Sequence, residues 1–165
     1  MTFQVTTPIV TNQAIASAST TQNFPLGTIV QAFDSTYGAG EFIYLTGVAS
    51  TIVGSIVEYN TSFQTGLHSS ALNAPNPVAV SMSICTASYY GWYQISGLAQ
   101  VAKATSTSFA ADAFLGSSSG LAIAAATGNQ LYGAVVAVVA SAVSGTAPDL
   151  VTTLINRPTG PSDLS

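Results

Sequence analysis

Apolar and polar positions alternate in short runs along this chain, and no stripe at helical spacing stands out. The cleanest run is 78–85. Val78, Val80, Met82 and Ile84 alternate there with Ala79, Ser81, Ser83 and Cys85. That spacing predicts a strand with large apolar side chains on one face and small ones on the other. Residues 28–33 are rich in β-branched types and end in the loop-type cluster Asp34, Ser35, Thr36, Tyr37 and Gly38. Residues 41–46, bounded by Gly40 and Gly47, make a second predicted strand, and 55–59 a third. Residues 92–96 follow a break at Gly91, and 98–104 continue past Gly97, where a glycine inside a strand pattern marks a bulge or bend. Residues 130–139 read as a buried strand, with a helix left open by their alanines. The last predicted strand, 150–156, is halted by Pro158, while 105–108 and 116–120 read as loops.

Turn signals recur every 8–12 residues or so, the spacing of a sandwich or barrel. The expected fold is therefore all-β, an antiparallel β-barrel or β-sandwich of short strands, and the lack of interleaved amphipathic helices argues against a parallel α/β sheet. Residues 1–23 carry little apolar pattern and read as an extended N-terminal arm, either a loose terminus or a segment ordered by a partner chain. The predicted organisation is an arm over 1–23, a β-rich domain over 24–158 and a tail over 159–165.

Composition changes the picture through charge. Of 165 residues only 5% are charged, against about 25% in ordinary domains. Lys103 and Arg157 are the two basic residues, too few to neutralise a phosphate backbone or to bind a membrane surface as a basic helix. No nucleic-acid and no membrane partner is expected. The apolar stretch 121–143 is interrupted by Thr127, Gly128, Asn129 and Gln130, short of the roughly 20 residues a spanning helix needs. The first ten residues lack the basic and apolar regions of a secretory signal. Synthesis in a cytoplasm, with retention there or release by lysis, is the expectation.

Candidate chemistry is sparse. A single Cys85 and a single His68 cannot build a Cys/His zinc site, and Cys85 has no intrachain disulfide partner. His68 lies in a loop-like setting with no nucleophile elbow nearby, so a solvated loop histidine is expected rather than a catalytic one. Asp34, Glu41, Glu58, Asp112, Asp149 and Asp163 fall at no spacing that pairs carboxylates or gathers a Ca²⁺ loop. Cys85 reads as a packed thiol. The expectation is a non-enzymatic chain with no cofactor and no metal. The densest aromatic cluster is Tyr89, Tyr90, Trp92 and Tyr93. It reads as core packing and edge bracing, as an anchor for another subunit, or as a sugar-stacking platform.

Four segments share a further property: residues 40–50 (GEFIYLTGVAS), 78–82 (VAVSM), 90–97 (YGWYQISG) and 156–158 (NRP). Together, over roughly 25–158, the sequence resembles small virion proteins of tailed bacteriophages, encoded beside the major capsid protein and thought to act as head decoration, or cement, proteins. The resemblance implies a β-rich, non-enzymatic protein on the outer capsid surface of the virion. Made in the host bacterial cytoplasm, it would staple neighbouring major capsid protein subunits. The resemblance supplies no catalytic residues. The low charge fits that role, because neutral side chains approach a partner with little ion desolvation. A homo-oligomer is expected, a trimer ahead of a dimer. Thr6, Pro8, Ile9 and Val10 of the arm are the expected capsid or subunit contacts, with Tyr90, Trp92 and Tyr93 as aromatic anchors. Rival readings are a glycan- or receptor-binding surface module, a tail or connector component, and a hydrolase using His68.

Overall fold

The structure, a computed structural model, describes residues 4–5, 12–69, 76–126, 129–136 and 149–161. Those residues are all-β and contain a closed five-stranded β-barrel plus outer strands. In chain order the strands are β1 (Gln4–Val5), β2 (Ala18–Ser19), β3 (Ile29–Asp34), β4 (Gly38–Thr46), β5 (Ile56–Tyr59) and β6 (Thr65–Leu67). They continue with β7 (Val78–Ser81), β8 (Tyr90–Lys103), β9 (Phe114–Ser118), β10 (Leu121–Ala124), β11 (Gln130–Val136) and β12 (Asp149–Thr159).

The barrel is built from the second half of β8 with β10, β9, β11 and β12. β12 lies antiparallel to β8 from Asp149 opposite Lys103 to Asn156 opposite Ser96. β11 joins β12 to β9, β9 turns into β10, and a parallel pairing of Ala122 with Lys103 brings β10 back to β8. Inward positions alternate along each strand, so Val101, Leu115, Leu131, Val136, Val151 and Ile155 fill one apolar interior. Residues 116–120, expected as a loop, are instead the end of β9 and its turn. The small residues there answer to close packing: a Cβ on Gly116 would sit 2.7 Å from Asn129 Oδ1.

The first half of β8 belongs to a second sheet, ordered β1-β3-β4-β8-β7-β5-β6. One of its faces packs Val30, Phe42, Tyr44 and Trp92 against Ile15 and Met82, and the other packs Ile43, Leu45 and Tyr93 against Val57 and Ala79. β7 stands between these cores and the barrel, with all four residues buried. The expected run to Cys85 is corrected here, since β7 ends at Ser81 and Ile84 is 62% exposed. A strand sealed on both faces has no wet side for alternation to mark.

Two further boundaries move. Residues 12–23, expected as part of an extended arm, pack on the body. Ile15 is buried, and β2 pairs with Gly91 and Tyr90. Gln13 is the anchor: its Nε2 donates to the Ser17 and Tyr90 carbonyls, and its Oε1 accepts from the Tyr44 hydroxyl at 2.7 Å and from Asn23 Nδ2 at 2.8 Å. At the other end β12 runs through Pro158 to Thr159, and Gly160 donates to the Asn76 carbonyl, so the body extends past the expected limit at 158. Pro158 is tolerated because β12 is past its last pairing with β8 there.

The bend between the halves of β8 is at Gly97, with φ of 102°. A Cβ there would meet the Ala39 carbonyl oxygen at 2.5 Å. Gln94, fully buried, donates from Nε2 to the carbonyls of Ser96 and Leu98, both at 3.1 Å. The register with β4 slips just before this glycine, at Ile95, between the pairing of Phe42 with Gln94 and that of Glu41 with Ser96, where β8 passes from sheet to barrel.

Candidate interaction surface

The outward positions of the barrel carry an unusual pattern. On β12 the inward Val151, Thr153 and Ile155 are buried, while Leu150 and Leu154 point out, 38% and 52% exposed. Leu154 lies opposite Leu98 of β8 on one side and opposite Val135 of β11 on the other. Val135 in turn lies opposite Phe114 of β9, which is 54% exposed. Directly paired residues project from the same face. Leu98, Leu154, Val135 and Phe114 therefore form one apolar row across four neighbouring strands, about 14 Å from first to last at ordinary strand spacing. Tyr132, 44% exposed, extends the surface on β11.

Where β4 and β12 both reach Ser96 of β8, a groove of about 560 Å³ opens between sheet and barrel. β3 and β4 contribute Gln31, Phe33, Gly40 and Glu41, and the barrel contributes Ser96, Asn156 and Arg157. Phe33 is 49% exposed, and Arg157 donates to Glu41 Oε2 at 2.9 Å. The mouth of the groove adjoins the apolar row, because the pair Asn156 and Ser96 lies two positions along from Leu154 and Leu98.

The expected aromatic anchors are elsewhere. Trp92 and Tyr93 are both 0% exposed and belong to opposite cores. Trp92 packs 4.9 Å from Tyr44 and 5.2 Å from Phe24, centroid to centroid. Neither offers a face to a partner or a sugar, which corrects that expectation, since β8 is covered on both faces from Trp92 to Ile95. Tyr90 is half-buried and stacks on Tyr44. Thr6, Pro8, Ile9 and Val10 lie outside the described residues.

The ionisable groups have structural surroundings. His68 is 0% exposed rather than solvated, and neither ring nitrogen has a hydrogen-bond partner. Burial lowers its pKa, opposed by the charge of Glu58. Its backbone is fixed from both sides, donating to the Ile56 carbonyl and accepting from Gly120. Burial pushes the Cys85 thiol up, and it pushes the neighbouring Tyr93 hydroxyl up as well. Asp34, buried rather than surface-solvated, accepts from the backbone N–H of Thr36 and Tyr37 and so shapes the turn into β4. Lys103, its side chain 1% exposed, pairs at 2.9 Å with Asp149, whose carboxyl is held low first by that hydrogen bond. Among the described residues no three His, Cys, Asp or Glu side chains come together as a metal site, and no helix is long and apolar enough to cross a membrane.

Sequence reasoning missed the row because it depends on the partners of each strand. Its local trace was the double apolar pattern of β12, with leucines on the face opposite Val151 and Ile155. Compared with known proteins, the chain matches no family model, no curated protein and no solved structure.

Proposed function

We propose that this chain is a structural phage virion protein that decorates a capsid and stabilises it by binding across neighbouring major capsid protein subunits. The observation that carries the reading is the uncharged apolar row of Leu98, Leu154, Val135 and Phe114 on the outer face of the barrel. The resemblance of the four sequence segments to phage decoration proteins supplies the kind of partner.

Magnitudes favour a staple over a single tight contact. Four strands by the seven residues from Leu150 to Asn156 cover roughly 400 Å². A standard complex buries about 800 Å² per partner. At about 25 cal/mol per Å² the face supplies at most ~10 kcal/mol, which association costs of about 4–15 kcal/mol largely cancel. Lasting attachment then rests on two or more such contacts made at once, by one chain on adjoining subunits or by an oligomer, so that effective concentration holds each one closed. Shell expansion would have to break all of them together.

The test is co-sedimentation of the full chain with assembled shells of the major capsid protein from the same particle. Saturable binding at a fixed ratio is expected, strongly reduced by Leu154→Asp and by Phe114→Asp, with circular dichroism verifying that both variants fold. Failure of the unaltered chain to sediment with shells would overturn the proposal.

A further inference from the structure

The groove between sheet and barrel is chemically unlike the apolar row beside it. Its lining includes the small Ala39 and Gly40, and the half-exposed Phe33 lies opposite Ala39 across β3 and β4. The lining also carries a guanidinium, a carboxylate and an amide, those of Arg157, Glu41 and Asn156. The two charges are paired with each other at 2.9 Å, so the site presents polar hydrogen-bonding groups with no net charge.

Three ligand classes fit poorly. A phosphate or carboxylate ligand would compete with Glu41 for the one cation in the groove. An extended peptide adds to an open sheet edge, and at Ala32 and Phe33 both edges of β3 are already paired. Ala32 and Phe33 of β3 pair with Val5 and Gln4 of β1 on one side and with Gly40 and Ala39 of β4 on the other. A purely apolar ligand would strip water from the guanidinium and carboxylate without returning hydrogen bonds.

We infer that this groove is a binding site for a neutral, hydroxyl-rich ligand of the carbohydrate class. Phe33 stacks on the apolar C–H face of a sugar ring, while Glu41 accepts from ring hydroxyls and Asn156 and Arg157 donate to them. Ser96, opposite Asn156 across β8 and β12, borders the same site. The inference is independent of the capsid proposal, because the groove and the apolar row use different side chains.

The experiment is heteronuclear NMR titration of the isotope-labelled full chain with maltotriose, chitotriose and mannotriose. A groove open on one side binds weakly, so the expected affinity is in the millimolar range, reached with sugar up to about 50 mM. Perturbations are expected at Phe33, Glu41, Ser96, Asn156 and Arg157 with at least one of the three sugars. Phe33→Ala should abolish them, and its exposed position spares the fold. Leu154→Ser, outside the groove, should leave them intact. Four outcomes would each overturn the inference. One is the absence of groove perturbation by all three sugars, and another is perturbation unchanged by Phe33→Ala. The others are equal perturbation by inorganic phosphate, which marks an anion site, and a response to tetra-alanine in place of sugar, which marks a peptide site.

Discussion

Arg157 of the barrel and Glu41 of the sheet meet at 2.9 Å beside Ser96 of β8, with which Glu41 of β4 and Asn156 of β12 both pair. The pair looks like a clasp between the two halves of the molecule, yet the arginine side chain is 59% exposed. Exposed ion pairs contribute about 0–1 kcal/mol. The real joint is the bend of β8 below them, where Gly97 adopts φ of 102° and its missing Cβ makes room for the Ala39 carbonyl.

Substitution should separate the two. Arg157→Gln is expected to change unfolding free energy by less than about 1 kcal/mol. Gly97→Ala combines a strained backbone with a backbone clash and should cost roughly 2–4 kcal/mol. Urea denaturation of both variants measures the contrast, and equal losses would contradict it.

Gln13 gives a second prediction. Its Oε1 accepts from both Tyr44 and Asn23 inside the aromatic core, and removing it strands buried donors. Gln13→Ala should destabilise by about 1–3 kcal/mol. Deleting 1–20 should likewise damage the fold, whereas deletion of 1–11 should be tolerated far better, as thermal unfolding of the two truncations will reveal.

The third concerns acid. Burial lowers the pKa of His68 below the ordinary 6.5, with Glu58 opposing from nearby. The unfolded chain therefore binds a proton that the folded chain refuses. Stability should fall as pH drops below about 6.5, with a slope no steeper than about 1.4 kcal/mol per pH unit, and level off below the folded-state pKa. His68→Leu should flatten that part of the curve in pH-dependent denaturation. An unchanged curve would mean that other groups govern the acid response.

Lys103 and Asp149 supply the fourth. The folded pKa of Asp149 is depressed, so its contribution is present above its unfolded value near 3.8 and is lost as pH falls through the folded one. Asp149→Asn leaves the almost fully buried ammonium of Lys103 without that carboxylate and should destabilise clearly. The double variant Lys103→Met with Asp149→Asn should recover much of the loss, because an apolar side chain is easier to bury there than an ammonium deprived of that carboxylate. A double-mutant cycle read by thermal denaturation decides the matter.

Much of the architecture was legible in residue order. Strands at 28–33, 41–46, 55–59 and 150–156 were visible from β-branching and flanking glycines, and Gly97 announced the bend. The errors have one physical origin, the neighbours that a strand acquires in three dimensions. β7 alternates in residue size but is buried on both faces, so alternation overstated its length. Gly116 and Ser117 look like loop residues because small side chains are what a crowded strand needs. Gln13 looks like arm because its four hydrogen bonds reach across to residues as distant as Tyr44 and Tyr90. The apolar row follows only from cross-strand register, and the burial of Trp92 and Tyr93 only from the two layers around β8.

β8 runs unbroken from Tyr90 to Lys103 and serves both halves of the molecule. A tug on the barrel therefore passes into the sheet along covalent backbone instead of across a seam that could slip. Such a chain transmits strain as one strut, which is the property that the proposed role on a swelling shell would draw on.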